Sequence, residues 1–123
     1  MNERLLSLSE EIDKVIISLN PTALVLEKIF VGNNVQAALK LGQARGVIML
    51  AAARHRLLFY EYSPNEIKKA VVGKGHATKD QVQFMVKSLL GLSSLPPPDA
   101  ADALAIAICH MQKSVSLERC KSI

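Results

Sequence analysis

The sequence predicts an α/β fold that combines two short parallel strands with about five helices. Two runs, at residues 23–30 and 57–62, are too short for helices and are rich in strand-forming side chains. A long helical pattern over residues 34–54 lies between them, and the order strand, helix, strand is typical of a parallel βαβ unit. Four further stretches with helical spacing complete the predicted fold.

The first helix is predicted over residues 3–19, where apolar side chains recur every three or four positions. Asn20-Pro21 ends it, because a residue before proline is disfavoured in the α region. The strand at residues 23–30 is apolar on both faces, which is the composition of a strand covered on both sides.

The helix at residues 34–54 carries two rows of apolar and small side chains, which predicts two buried faces. The first row is Val35, Ala38, Leu39, Gly42, Met49, Leu50 and Ala53. The second row is Leu41, Ala44, Ile48 and Ala51. The sheet of one copy needs only one of these faces, so the helix is predicted to contribute a two-fold interface between two copies of the chain.

Three more helices follow the second strand. Residues 63–66 (SPNE) and 78–81 (TKDQ) each place a hydroxyl side chain three positions before a glutamate or glutamine, which is the pattern of a capping box. Gly73 and Gly91 end the two helices. The last helix is predicted over residues 99–115, with a frayed polar tail after it.

Length and composition favour a single soluble domain over residues 1–123. Apolar residues make up 50% and charged residues 21%, which excludes a disordered chain, and no apolar run approaches the ~18 residues of a membrane span. Cys109 and Cys120 are too few for a disulfide scaffold, and residues 1–4 lack the order of a secretory signal. We therefore expect a cytoplasmic protein that does not contact a membrane.

Positive charge is concentrated after the first strand. Residues 1–30 have a net charge of −2, whereas the remaining residues have a net charge of +6. Five lysines between Lys68 and Lys87 accompany one acidic residue, Asp80. This local field suits a polyanion, although a lysine-rich face in contact with solvent has the same composition.

Three carboxylates are candidates for chemistry. Glu27 lies near the carboxyl end of the first strand, where open α/β sheets bind ligands, although a nearby lysine or solvent would also satisfy it. Asp99 and Asp102 are three residues apart at the start of an apolar helix, which places their Cβ atoms ~5–6 Å apart on one face. Helix capping explains one aspartate better than two. The surrounding helix is too apolar to be exposed, so Asp102 is expected to be partly buried. Together the three offer oxygen ligands that suit Mg²⁺.

Four segments resemble the RuvC family of bacterial Holliday-junction resolvases. They are LVLEKIF at residues 24–30, ALKLGQARG at 38–46, VVGKG at 71–75 and DAADALAIA at 99–107. The resemblance runs through almost the whole chain in order. It implies a ribonuclease H-like fold and a homodimeric endonuclease that nicks opposed strands of a four-way DNA junction, in recombination and repair, beside the junction branch-migration complex.

The resemblance also implies roles for individual residues. In the family, four carboxylates hold two Mg²⁺ ions, and Glu27, Asp99 and Asp102 match three of them. Phe30 matches an aromatic side chain that stacks on junction bases. Lys68 and Lys79 match basic residues near the scissile phosphate.

One family feature does not occur in these 123 residues. The family pattern begins with a strand carrying Gly-Ile-Asp-Pro-Gly, whose aspartate is the fourth carboxylate, and no such motif is present. The expectation is therefore an N-terminally truncated resolvase domain without the first three strands of the family pattern, whose own cleavage activity is in doubt. The alternatives are a catalytically inactive junction-binding or dimerisation module and a helical interaction protein with no nucleic-acid role.

Overall fold

The structure is a computed structural model that describes residues 1–29 and 32–121, with the backbone alone described for residues 115–121. Seven elements follow one another along the chain. They are α1 (Asn2–Leu19), β1 (Ala23–Glu27), α2 (Val35–Arg54), β2 (Leu58–Tyr62), α3 (Pro64–Val72), α4 (Lys79–Leu90) and α5 (Pro98–Lys121). The predicted α/β fold with two strands and five helices is therefore confirmed for the described residues.

The two strands pair in parallel. The Leu58 N–H donates to the Thr22 carbonyl at 3.1 Å, and the Lys28 N–H donates to the Tyr62 carbonyl at 2.9 Å. Early residues of β1 thus pair with early residues of β2, and late residues with late ones, which defines a parallel ladder. With α2 as the connection, the predicted βαβ order is confirmed.

Two predicted boundaries are wrong. The first strand ends at Glu27 rather than at residue 30, because its partner strand ends at Tyr62, where Ser63-Pro64 begins α3. The last helix continues to Lys121 rather than ending near residue 115. The polar segment after residue 112 contains neither glycine nor proline, so nothing in it stops a helix.

The chain divides into two compact units. The first, called the α1–α2 unit, comprises Met1–Leu24 and Ile29–Tyr60. The second, called the α3–α5 unit, comprises Val25–Lys28 and Glu61–Ile123. Each unit contains one end of the paired strands β1 and β2. That the whole chain forms a single domain stays a prediction.

In the α1–α2 unit, α1 packs against α2. Ile16 of α1 and the adjacent Ala51 and Ala52 of α2 are buried. Ala44 and Ile48 are half-buried, so the second predicted row of α2 is the one that turns towards the unit's interior. The first row is the outward one, and its large side chains are exposed: Val35, Leu39, Met49 and Leu50.

Polar contacts also join these two helices. The Arg54 guanidinium donates to both carboxylate oxygens of Asp13 at 3.1 and 3.2 Å and to the Ser9 hydroxyl at 3.2 Å. His55 Nε2 lies 2.8 Å from the Asp13 carboxylate. The His55 hydrogen bond and the neighbouring positive charge of Arg54 lower the pKa of Asp13.

In the α3–α5 unit, the three helices pack against one another around a larger core. Its buried side chains are Tyr62, Ile67, Val71, Ala77, Val82, Val86, Ala101, Ala105, Ile108 and Cys109. Both predicted capping boxes are present: Ser63 pairs with Glu66 at the start of α3, and Thr78 pairs with Gln81 at the start of α4. Within the described part of the chain, every helix is too short or too polar to cross a bilayer.

Candidate carboxylate and lysine site

A cavity of about 300 Å³ in the α3–α5 unit contains the candidate site. Glu27 reaches it from the last position of β1, and Asp102 reaches it from the second turn of α5. Lys68 of α3 and Lys79 of α4 line the same cavity. Two carboxylates and two ammonium groups, from four different elements, therefore surround one space.

The two lysines are placed by the start of their helices. The Ser63 capping box and Pro64 fix the beginning of α3, and burial of Ile67 and Val71 sets the rotation of that helix. Lys68 follows Ile67 directly and is half-buried at the cavity. Lys79 is the first residue of α4, immediately after the Thr78 cap. Local capping chemistry thus fixes the backbone that carries both ammonium groups.

Asp102 is exposed, so the expectation that it is partly buried is wrong. The buried face of α5 is formed by Ala101, Ala105, Ile108 and Cys109. Asp102 is one position past Ala101, which turns it about 100° away from that face. The apolar residues around Asp102 do not bury its side chain, because the face of α5 that packs against the rest of the unit is formed largely by small alanines.

The charges around the cavity influence one another. Partial burial raises the pKa of Glu27 above its usual value, and the nearby Asp102 carboxylate raises it further. The positive charges of Lys68 and Lys79 act in the opposite direction and lower the pKa of Glu27. The pKa of Glu27 is therefore set by burial together with neighbouring charges of both signs.

The third predicted carboxylate is separate from this pair. Asp99 is exposed in the first turn of α5 and does not line the cavity. Within the described residues, no three carboxylate, histidine or cysteine side chains lie close enough together to hold a metal ion. The structure thus brings Glu27 and Asp102 together without Asp99. Phe30, the predicted stacking residue, lies outside the described residues.

The sequence did not identify the apolar wall of the cavity. Its members are Pro64, Ile67, Val82, Ala105 and Ile106. They come from three helices, so no local pattern joins them. The buried spacing of Val82 and Val86 on α4 was the available signal that this helix turns towards α5.

A second group of polar side chains ties the same elements together. The Tyr62 hydroxyl and His110 Nδ1 share a hydrogen bond of 2.7 Å, and His110 Nε2 lies 3.3 Å from the Ser114 hydroxyl. Lys113 forms an ion pair with Glu66 at 3.2 Å and lies 5.7 Å from the centre of the Tyr62 ring. The hydrogen bonds with Ser63 and Lys113 lower the pKa of Glu66. These contacts connect β2 and α3 to α5, the helix that carries Asp102.

Comparison with known proteins decides the family. The family model of the crossover junction endodeoxyribonuclease RuvC matches residues 1–110. The chain belongs to the RuvC family. The RuvC of Francisella philomiragia is 55% identical over 116 residues, covering 94% of this chain and 68% of the relative. That of Hydrogenovibrio crunogenus is 52% identical over 108 residues, covering 88% of this chain and 63% of the relative.

Solved RuvC structures agree with the described fold. Thermus thermophilus RuvC superimposes with a TM-score of 0.81 at 36% identity, covering 89% of this chain and 66% of that one. The same protein in complex with a Holliday junction substrate gives a TM-score of 0.84 at 36% identity, covering 89% and 67%. The predicted ribonuclease H-like fold of the RuvC family is therefore confirmed. This chain spans about two-thirds of the length of the RuvC proteins that it matches.

Proposed function

We propose that this RuvC-family chain acts on four-way DNA junctions as part of a structure-selective endonuclease that nicks opposed strands in recombination and repair. The observation that carries the proposal is the cavity in which Glu27 and Asp102 meet Lys68 and Lys79. Carboxylates bind catalytic cations, whereas lysines bind phosphates, and a phosphodiester nuclease needs both at one place. The RuvC neighbour in complex with a junction substrate supports the same substrate class.

The donor set fits a divalent cation. Burial and the Asp102 carboxylate raise the pKa of Glu27, so the pair holds negative charge that a cation would stabilise. Glu27 and Asp102 would hold Mg²⁺ at the cavity. The family match adds Asp99 as a third ligand, which would have to move towards the pair, because Asp99 does not line the cavity in this structure. When bound, two Mg²⁺ ions would activate water and stabilise the leaving oxygen of the phosphodiester.

The remaining family-matched residues would hold the DNA. Lys68 and Lys79 would neutralise phosphates at the cavity and orient the scissile one. Phe30 would stack on a base exposed at the junction. These three roles follow from the family match of the residues and from the position of the two lysines at the cavity.

The outward face of α2 supports a homodimer. Its four large side chains are exposed, and with Gly42 and Gly46 between them they form an apolar stripe along one side of the helix. A methyl group added at Gly42 or Gly46 would meet no described atom within 4 Å, so this face is open. Two copies would cover the stripe and present two nicking sites to one junction, in the cytoplasm and beside the branch-migration complex.

A second candidate function is junction binding without cleavage. The observation that favours it is the separation of Asp99 from the Glu27 and Asp102 pair, since a two-ion centre needs more than two carboxylates. Lys68 and Lys79 would then bind the phosphates of the junction, although the chain would not cut it.

A Mg²⁺ titration with labelled four-way and linear DNA distinguishes these functions. The endonuclease cuts the junction only with Mg²⁺, and Glu27→Gln or Asp102→Asn abolishes cutting while junction binding is retained. The binding module binds the junction with and without Mg²⁺ and never cuts it. A chain that neither binds nor cuts junctions contradicts both functions and favours the helical interaction protein.

A further inference from the structure

A groove on α4 is separate from the carboxylate cavity. It measures about 310 Å³ and is called here the Phe84 groove; its lining residues are Phe84, Lys87, Ser88, Gly91 and Leu92. Volumes of ~300–1,000 Å³ are typical of small-ligand sites. The Phe84 groove therefore has room for a group of that size.

The Phe84 ring is not part of the core of its unit. The side chain is 60% exposed, whereas Val82 and Val86 of the same helix are buried. Phe84 lies between them in sequence and therefore projects about 160° away from each. A single exposed phenylalanine is ordinary in proteins, so the residues around Phe84 decide whether the ring belongs to a site.

The neighbours of the ring combine a cation with hydrogen-bonding groups. Lys87 and Ser88 lie one turn after Phe84, so an ammonium group and a hydroxyl flank an aromatic face. Among the described residues that line the groove, none is acidic. Aromatic faces beside cations are the common elements of single-stranded nucleic-acid sites.

We infer that the Phe84 groove binds one unpaired nucleotide, with its base stacked on Phe84 and its phosphate beside Lys87. The inference rests on the proposed function, because the nucleotide belongs to the junction DNA. Lys79 lines the carboxylate cavity at the other end of α4, ~12 Å from Lys87 along the helix axis. One DNA strand that follows α4 would therefore contact a cation at each end of the helix.

A helical peptide fits this surface less well. Peptide helices bind grooves through a row of apolar anchors at spacings of three, four and seven residues. Of the described residues that line the groove, two have large apolar side chains, Phe84 and Leu92, and Lys87 places a cation at the same space. The charge and the small apolar area both favour a nucleotide.

Tryptophan fluorescence tests the inference directly. The chain contains no tryptophan, so Phe84→Trp introduces a single reporter in the groove. We expect a single-stranded oligothymidylate and a four-way junction to quench its emission over the range in which anisotropy of labelled DNA shows binding. Leu89→Trp is the matched control, since Leu89 is 51% exposed on the same helix and does not line the groove. Its emission should change little.

Affinity for the single strand gives a second readout. Phe84→Ala should weaken binding about fivefold or more, because a stacked base is lost, whereas Phe84→Tyr should retain the wild-type affinity. Lys87→Gln should reduce the slope of log K against log salt by about one, the value for one phosphate contact. An alanine variant and a tyrosine variant with equal losses would contradict stacking.

The outcomes separate this inference from the proposed function. Unchanged Phe84→Trp emission on a chain saturated with DNA overturns the nucleotide site alone. A spectral shift that depends on protein concentration and not on DNA also overturns it, and assigns the groove to a protein contact. Failure of the wild-type chain to bind any DNA overturns both.

Discussion

The two units of this chain are built in different ways. Among the described residues, the α3–α5 unit has a core of buried side chains between its own helices, although Phe84, Leu89, Leu90, Leu95 and Met111 stay exposed. The described part of the α1–α2 unit buries one large aliphatic side chain, Ile16, and leaves a longer set exposed: Met1, Leu6, Val15, Ile17, Leu19, Ile29, Val35, Leu39, Leu41, Met49, Leu50 and Leu58. The unit with its own core carries the charged cavity, whereas the other offers apolar surface for association.

The polar contacts of the two units also differ in how far they are shielded from solvent. In the α1–α2 unit, the half-buried Asp13 and His55 and the more exposed Arg54 form a cluster that joins the helices. In the α3–α5 unit, the Tyr62 and His110 hydrogen bond lies beside a buried core. Exposed ion pairs contribute little stability, typically about 0–1 kcal/mol, so the α1–α2 unit depends more on whatever covers its apolar face.

The largest predicted effect concerns the core of the α3–α5 unit. Val86→Asp places a carboxylate at a fully buried position and should lower the free energy of unfolding by roughly 4 kcal/mol or more. The control, Leu89→Asp at a position of the same helix that is 51% exposed, should cause a much smaller loss. Denaturant unfolding followed by circular dichroism measures both. Equal losses would contradict the described burial of α4.

A smaller effect is predicted for DNA binding. Replacing Lys68 and Lys79 together by alanine should weaken binding to four-way and linear DNA by a similar factor, and should reduce the salt slope by about one for each lost phosphate contact. Lys40→Ala, an exposed lysine of the α1–α2 unit, is the control and should leave the slope unchanged. A larger loss of DNA affinity for Lys40→Ala than for the double variant would instead assign the DNA-binding surface to the α1–α2 unit.

Sequence reasoning succeeded where structure depends on neighbouring residues. The boxes at Ser63 and Thr78 were predictable because a side chain bonds to a backbone amide three residues away. It failed at the end of β1, because that strand stops where its partner β2 ends and α3 begins. It also failed at the end of α5, where no glycine or proline stops the helix. Which row of α2 faces α1 was also undetermined, since both rows are apolar.

The candidate site, like the fold, was predicted only in part from the sequence. Strand position and helical spacing selected Glu27 and Asp102, and family resemblance added Lys68 and Lys79. The structure places all four around one cavity, although their roles stay predictions. Exposure of Asp102 and separation of Asp99 were not predictable, because they depend on the rotation of α5 over its alanines. The Phe84 groove was not predicted, because its lining depends on the turn after Leu90.

Association through α2 is the next prediction. Leu39 is 63% exposed on the outward row, so Leu39→Arg should shift sedimentation from dimer towards monomer. Leu6→Arg changes a side chain of similar exposure, 61%, on α1 and should leave the dimer intact. Ile48→Arg is less suitable because Ile48 is half-buried on the inward row. A dimer that survives Leu39→Arg would exclude this face.

The polar cluster of the α1–α2 unit should produce a modest, pH-dependent effect. The pKa of Asp13 is lowered in the folded chain, chiefly by its hydrogen bond with His55. Its contribution to stability is therefore present above the ordinary aspartate pKa and is lost as the pH falls through the lowered value. Asp13→Asn should lower Tm slightly at neutral pH, and thermal unfolding at acidic pH should show that difference disappearing. A difference that grows in acid would contradict the pairing.

The smallest predicted effect is on the pKa of Glu27, which a carboxyl carbon NMR titration measures. Asp102→Asn removes a neighbouring negative charge and should lower this pKa, whereas Lys68→Ala removes a positive charge and should raise it. Because burial is the largest cause, the pKa of Glu27 should stay above its ordinary value in Asp102→Asn.

The raised pKa of Glu27 also predicts an effect on stability. A group with a raised folded pKa contributes stability below its unfolded pKa and loses it as the pH rises through the folded value. Glu27→Gln should therefore make the α3–α5 unit slightly more stable than wild type at neutral pH without metal. Added Mg²⁺ should stabilise the wild type and not the variant, and equal responses would remove Glu27 from the cation site.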